Sequence, residues 1–386
     1  MRYSPAFIFV LTMGAVNFFG DVTYEGGGSI NGQFLGSLGA SAAIISIVAG
    51  TGEFLGYSLR AVSGAVADRT GRYWLVTFIG YAINALAVPA MALAGSWQIA
   101  ALFLLLERTG RAIRKPTVEA MLSYSTGTLG KGWVYGLNTA LDEAGATLGP
   151  LLVAFILYLG GNYRAAYAAL LISALLTLGA LVVARISFPL PAGLEEGKTA
   201  PMQGFARAYW IYMVAAACFA AGLMSFELIS YHLATTKLVA GLWIPVMLAF
   251  STFCAVIASL MLGKLYDHVG MPIVFVAIFL SALFAPLVFQ DSFVAALVAM
   301  PLWGIGYATQ DTLFKVLIAR VLPEGKRNTA FGVFYIGYGV GWLIGSIVTG
   351  LLYDYSRVAL IAFVVIAQCA SLPLFFVGAR QEQALH

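Results

Sequence analysis

The sequence predicts an all-α polytopic membrane protein, with twelve transmembrane helices in two pseudo-symmetric six-helix bundles. Its composition, a succession of long apolar segments and an internal repeat carry that prediction. Of 386 residues, 61% are hydrophobic and only 10% charged, with a mean hydropathy of +0.90. A water-facing surface usually brings the charged share to about 25%, so most of this surface meets something apolar. A bilayer-crossing helix takes roughly 20 apolar residues; a chain of 386 residues has room for many such spans joined by short loops.

Apolar segments run over approximately 5–29, 42–66, 73–95, 97–122, 133–159 and 164–186. They resume at 207–233, 240–265, 272–290, 293–320, 331–353 and 357–379. Spans of this length bond their own backbone as helices, whereas barrel strands would alternate polar and apolar residues. The first apolar stretch is read as a span, not a cleaved signal, because no small-residue cleavage site follows it. Residues 188–206 read as a cytoplasmic linker, since PLPAGLEEGKTAPMQG holds three prolines, three glycines and adjacent glutamates. The linker separates an N-terminal six-helix bundle, 1–187, from a C-terminal one, 207–386.

Twelve Lys and Arg residues fall in loops on the side of the termini, among them Arg2, Arg69, Arg72, Lys264 and Arg380. Only Arg164, Lys237 and Arg357 fall opposite. Positive charge collects on the cytoplasmic side, so both termini are expected in the cytoplasm, with the chain in the plasma (inner) membrane. The halves repeat: Gly110, Gly136, Gly145 and Gly149 return 196 residues later as Gly306, Gly332, Gly341 and Gly345. GAVADRTG (64–71) returns as GKLYDHVG (263–270), and Thr23-Tyr24-Glu25 corresponds to Ser230-Tyr231-His232. Parallel repeats of this kind mark one architecture of secondary transporters.

Several function classes are excluded on residue pattern. The basic residues form no stripe suited to nucleic acid. Cys218, Cys254 and Cys369 lie inside apolar stretches without paired spacing, which supports neither disulfides nor zinc. No phosphate-cradling loop, nucleophile elbow or metalloprotease helix is present. The chain is therefore not read as an enzyme, and neither a cofactor nor a bound metal is expected.

Ionisable residues inside spans cost about 2.5–3.5 kcal/mol each on insertion scales, so they usually face a cavity or a partner. The candidates for carrying a proton are Asp21 and Glu25 first, then Glu53, Asp142 and Glu143. Asp21 and Glu25 stand one turn apart, and like charges so close resist double ionisation. Asp142, with Asn138 one turn away, is expected to pair with Arg108 or Arg111. Asn17 and Tyr24 share the face of Asp21 and are candidate substrate contacts. So are Arg108 and Arg111, because guanidinium groups match carboxylate and phosphate geometry. Arg114 and Lys115 are read instead as snorkelling toward the nearer membrane face. In the second half the candidate substrate contacts are Glu227, Tyr231, His232, Tyr307, Gln310 and Tyr338. His232 is read as a hydrogen-bonded cavity histidine, since its spacing from Glu227 and Cys218 matches no ligand pattern. Asp311 and Lys315, four apart, can neutralise each other.

Gly64-Ala-Val-Ala-Asp68-Arg69-Thr-Gly71-Arg72 and its copy with Asp267 and Gly270 closely resemble the loop motif of the major facilitator superfamily. The resemblance covers the whole chain. It implies that Gly64, Asp68, Arg69, Gly71, Arg72, Asp267 and Gly270 gate the cytoplasmic side. The run Gly136, Gly145, Gly149-Pro150 resembles the fifth-helix motif of the superfamily's antiporters, which ends in two glycines where this chain has Val153-Ala154. It implies a gating role for Gly145, Gly149 and Pro150. Taken with these likenesses, the chain is expected to be a proton-coupled antiporter that exports a small organic molecule by alternating access. Its partners would be that substrate, protons and the lipid bilayer, and it would act as a monomer. One alternative is a transporter of an anionic metabolite that uses the span-four arginines. Another is a non-transporting receptor or sensor on the same fold.

Overall fold

A computed structural model describes residues 5–123, 131–188, 205–290, 292–321 and 327–383, with the backbone alone at 5–6, 68, 123, 131–136 and 327–330. Most of the expected linker, and the side chain of Asp68, lie outside the described residues. Eleven helices among those residues are long and apolar enough to cross a bilayer. In the first half these are span one (Phe7–Gly28), span two (Ala42–Ala67), span three (Tyr73–Leu93), span five (Leu137–Tyr158) and span six (Tyr163–Ser187). In the second half they are span seven (Arg207–Thr235), span eight (Trp243–Val269), span nine (Met271–Val288), span ten (Phe293–Arg320), span eleven (Phe331–Tyr355) and span twelve (Arg357–Gln383).

The twelfth is span four, Trp97–Ser123, whose 27 residues give it ample length. It carries Glu107, Arg108, Arg111, Arg114, Lys115 and Glu119, so no stretch of it is apolar enough to qualify by composition. Lipid-facing positions are left bare elsewhere: Ile172 is 68% exposed, Leu260 73% and Val358 76%. Such surface suits hydrocarbon, not water.

The repeat seen in the sequence is also a repeat of contacts. A Cβ at Gly145 would strike the carbonyl of Phe18, and one at Gly149 would lie 2.5 Å from that of Val22. In the second half, Gly341 and Gly345 meet the carbonyls of Ala217 and Ala221 in the same way. Gly110 meets Asn84 as Gly306 meets Ser281, and Gly64 faces Pro116 as Gly263 faces Thr312. Each contact in the first half thus has a counterpart 196 to 199 residues on. The glycines remove side chains where helix backbones approach most closely. Both copies of the loop motif end on a glycine at positive φ, Gly71 at +64° and Gly270 at +77°, a conformation that glycine adopts freely.

The halves differ in span seven. Its helix stops at Gly222 and restarts at Phe226, where span one runs unbroken. Backbone carbonyls freed within a bilayer need new donors. Gln368 Nε2 donates to Gly222 O at 2.8 Å and Trp303 Nε1 to Met224 O at 2.8 Å. Span ten carries a π-helical turn at Thr309–Phe314.

The chain packs as two compact units. One comprises Met1–Gly39, Ser58–Glu196 and Gly241–Ala249, the other Ala40–Tyr57, Gly197–Ala240 and Phe250–His386. Span two is therefore divided. Its first part sits in the second unit, where Ser46 Oγ donates to Ser346 O at 2.6 Å and Gly50 leaves room for Ser346.

Candidate functional site

In the first unit, polar side chains from spans one, three, four and five converge. Gly80 and Gly110 bring spans three and four together, for a Cβ at Gly80 would lie 2.7 Å from Arg114 N. That approach seats the Arg114 guanidinium on Tyr81, where Nη1 donates to the phenol oxygen at 3.0 Å and the group covers the ring at 4.4 Å. Arg114 Nη2 reaches Asp21 Oδ1 at 3.3 Å, with the two side chains only 6% and 12% exposed. Tyr81 Oη donates to Asn17 Oδ1, and Asn17 Nδ2 donates to Asn138 Oδ1 at 2.7 Å. A continuous chain runs from Asp21 through Arg114, Tyr81 and Asn17 to Asn138. Asp142 stands one turn beyond Asn138, within electrostatic reach of Asp21, Lys115, Arg114 and Arg111. Its Oδ1 is buried with no hydrogen-bond partner among the described residues.

Beside this chain, Arg111 and Arg108 both cover the ring of Tyr24, at 3.9 and 4.9 Å from its centroid. Glu107 lies 3.7 Å from Arg108 and accepts from Asn84 Nδ2 at 3.1 Å.

The structure thus joins Asn17, Asp21 and, nearby, Tyr24, Arg108 and Arg111. Glu25 and Glu143 are half-buried on the same two helices, whereas Glu53 lies in the part of span two that packs with the second unit. Arg114 overturns its expected snorkelling role: 5% exposed, it reaches inward to a carboxylate and a phenol. Distance along a helix says nothing of which side faces a partner, and Arg114 follows Gly110 by one turn, on the face that meets span three. Of the partners expected for Asp142, Arg111 lies within electrostatic reach, while the buried Oδ1 has no hydrogen-bond partner among the described residues. Sequence reasoning missed Tyr81 and Asn84, although two polar residues three apart in an apolar span were the available signal.

In the second unit Gln310, on the π-helical turn, donates to Tyr57 Oη at 2.7 Å and accepts from Tyr338 Oη at 2.6 Å. Rings continue outward from this amide. Tyr57 stacks on Tyr335 with centroids 5.5 Å apart, and Tyr338, Trp342, Tyr307 and Trp303 follow at 6.0, 5.7 and 4.4 Å. Tyr231 and His232 lie apart from that group: His232 Nδ1 is 3.0 Å from Tyr353 Oη, and its ring packs on Phe289. Tyr231 meets the Tyr353 ring edge-on, while Glu227 is buried in the first turn after the break in span seven. Asp311 and Lys315 pair at 3.3 Å as their spacing predicts.

In the loop motif, Arg69, Arg72 and Asp267 are exposed. Pro150 is buried within its helix.

The model of the Major Facilitator Superfamily matches residues 6–345 and 208–385 of this chain. The chain belongs to the major facilitator superfamily. An uncharacterised protein of Mycobacterium tuberculosis (strain ATCC 25618 / H37Rv) is 31% identical over 379 residues, covering 96% of this chain and 93% of the relative. An uncharacterised MFS-type transporter of Methanocaldococcus jannaschii is 27% identical over 362 residues, covering 90% and 89%. Among solved structures, the nucleoside transporter NupG superposes with a TM-score of 0.74 at 14% identity, over 97% of this chain and 98% of that one. The peptide transporter POT in complex with sulfate gives 0.76 at 15%, over 96% and 94%. At such identities the likeness is one of fold. As a superfamily member the chain is an integral membrane transporter, not an enzyme.

Proposed function

We propose that this superfamily member is a proton-coupled antiporter that exports a small organic molecule by alternating access. Asp142 carries the proton, and the Asp21–Arg114 pair responds to it. The observation behind this reading is the buried Asp142 oxygen with no donor among the described residues, one turn from a completed hydrogen-bond chain. An ionisable residue inside a span that lacks such a partner usually marks a proton or ion path. Once deprotonated, Asp142 competes with Asp21 for the Arg114 guanidinium, which already has a second partner in Tyr81. Redistributing one guanidinium between two carboxylates gives the two protonation states different hydrogen-bond patterns. A ligand shifts a conformational equilibrium only through such a difference.

On this reading Glu25 and Glu143 tune the same electrostatic site, and the turn from Gly64 to Arg72, with its copy at Asp267 and Gly270, latches the cytoplasmic side. The protein acts as a monomer in the plasma membrane, with both termini cytoplasmic. Proton-driven currents on a solid-supported membrane, recorded while a panel of organic compounds is applied to proteoliposomes, test it. Asp142→Asn imitates the protonated carboxyl; it should abolish gradient-driven transport yet keep substrate exchange between equilibrated compartments. Gradient-driven transport that persists unchanged in Asp142→Asn removes the coupling mechanism.

A second reading, an anionic substrate, is favoured by the two guanidinium groups stacked over Tyr24. The tyrosine holds both in one orientation, which reduces what is lost on binding a carboxylate or phosphate. Transport in Arg108→Gln and Arg111→Gln variants that discriminates no less between anionic and neutral compounds removes that reading.

A further inference from the structure

We propose that the second unit holds the recognition surface for a planar ring carrying a hydrogen-bond acceptor, built around Gln310, Tyr307 and Trp342. The inference rests on the transport reading and names the substrate class.

Burying phenols, an indole and an amide inside a bilayer protein is costly where leucine would pack as well. Here the expense has an arrangement. Gln310 is 4% exposed and Tyr338 fully buried, and both ends of the Gln310 amide are fixed by phenol groups. The amide thereby locks two rings in orientation, while Tyr307 and Tyr335 remain half-buried and continue the array. Tyr307 lies at the middle of span ten and Trp342 at the middle of span eleven, where transporter sites form.

Two backbone irregularities adjoin these rings. One is the π-helical turn that carries Gln310, a feature concentrated at functional sites. The other is the break in span seven, whose Met224 carbonyl is held by Trp303, the ring next to Tyr307. Interrupted helices line substrate sites in transporters.

Trp342 supplies the remaining clue. It is 1% exposed, and its indole N–H has no partner among the described residues. Buried indole N–H groups usually find an acceptor. Packed on Tyr307 and Tyr338, this donor suits a carbonyl or ring nitrogen on a flat ligand. Such a ligand lies against π faces for affinity and uses one acceptor for orientation.

A thermal-shift screen of the purified full chain tests this, with planar heteroaromatics such as 2-quinolone and isoquinoline set against their saturated isosteres. Stabilising compounds should come from the planar set. Their affinity should fall about five- to tenfold in Trp342→Phe, the effect of one lost hydrogen bond, but only for compounds with an acceptor. Tyr307→Leu should weaken planar compounds with and without an acceptor. An empty planar set, hits shared equally with the saturated set, or hits unaffected by Trp342→Phe in a variant that melts like the parent overturns the proposal. Planar compounds that bind but evoke no proton-driven current in proteoliposomes leave the surface standing and count against transport of this class instead.

Discussion

Replacing Asp21 by asparagine, alone and together with Arg114→Gln, probes the ion pair on which the polar chain of the first unit turns. The pair is 3.3 Å long and its side chains are 6% and 12% exposed, so water screens it little. The value of about 0–1 kcal/mol usual for surface pairs does not apply. Removing one member of a buried pair costs about 3–5 kcal/mol, because the other charge stays behind. For Asp21→Asn the low end of that range is expected, about 3 kcal/mol, since Arg114 keeps its hydrogen bond to Tyr81 and its place over the ring. Arg114→Gln should cost more, about 3–5 kcal/mol, because it leaves Asp21 and Asp142 facing one another without the guanidinium. The double variant removes both members of the pair, so neither is left without the other. It should be more stable than the sum of the single losses by about 2 kcal/mol.

Equilibrium unfolding of the purified protein in mixed micelles, followed by tryptophan fluorescence, gives the three free energies of the cycle. A coupling below about 0.5 kcal/mol, the level of independent sites, would show that the pair contributes little to the folded state. The competition for Arg114 placed at the centre of proton coupling would then have no energetic basis.

Two further predictions concern packing and the last helix. Gly145→Leu and Gly341→Leu should each destabilise their unit by about 1–3 kcal/mol, because the new side chain meets a backbone carbonyl that cannot rotate away; similar melting losses in both variants would support equivalent packing, and a tolerated change in either would count against it. Glu382 accepts from the buried Tyr212 hydroxyl at 2.7 Å and lies 3.8 Å from Arg320, whose side chain is 55% exposed. Glu382→Gln keeps an acceptor and should cost under about 1 kcal/mol, whereas Glu382→Leu strands the Tyr212 hydroxyl and should cost about 1–3 kcal/mol, a difference that a melting comparison reads directly.

The fold was legible because its determinants are local. Span length, apolar content and the offset between glycines can be read along the chain, and Gly110, Gly145, Gly149, Gly306, Gly341 and Gly345 of the repeat sit at helix crossings. The partners across those crossings were much less legible. Arg114 looked like a snorkelling residue because its position along span four is known from the sequence but its face is not. What turns it inward is the close approach at Gly80 and Gly110, a pair separated by thirty positions and a loop. Tyr57 was missed for a related reason: it belongs to a first-half helix, yet its part of span two packs with the second unit. Conversely, Asn17, Asp21, Gln310 and Tyr338, which the structure joins to polar chains, stood out because polar residues at bilayer depth are scarce.

The repeat also bears on where charge chemistry resides. Arg114 corresponds to Gln310 and Asp142 to Tyr338, each pair 196 positions apart. In the second unit the two equivalents are bonded directly, Tyr338 Oη to Gln310 Oε1 at 2.6 Å. Shared packing glycines give spans four and five the same frame as spans ten and eleven. Asp142 therefore occupies the position from which its counterpart reaches the residue equivalent to Arg114. A neutral phenol–amide bond fills that place in one half, and an acid beside a guanidinium fills it in the other. Duplication thus retained the packing frame while the side chains at these two positions diverged, to an acid and a guanidinium in the first half and to a phenol and an amide in the second. Tyr338→Asp with Gln310→Arg would transplant the charged version; if the first half owes its coupling to this pair alone, that variant should show a second proton dependence in its transport currents, and an unchanged pH profile would show that the surrounding Asp21, Tyr81 and Asn17 are required as well.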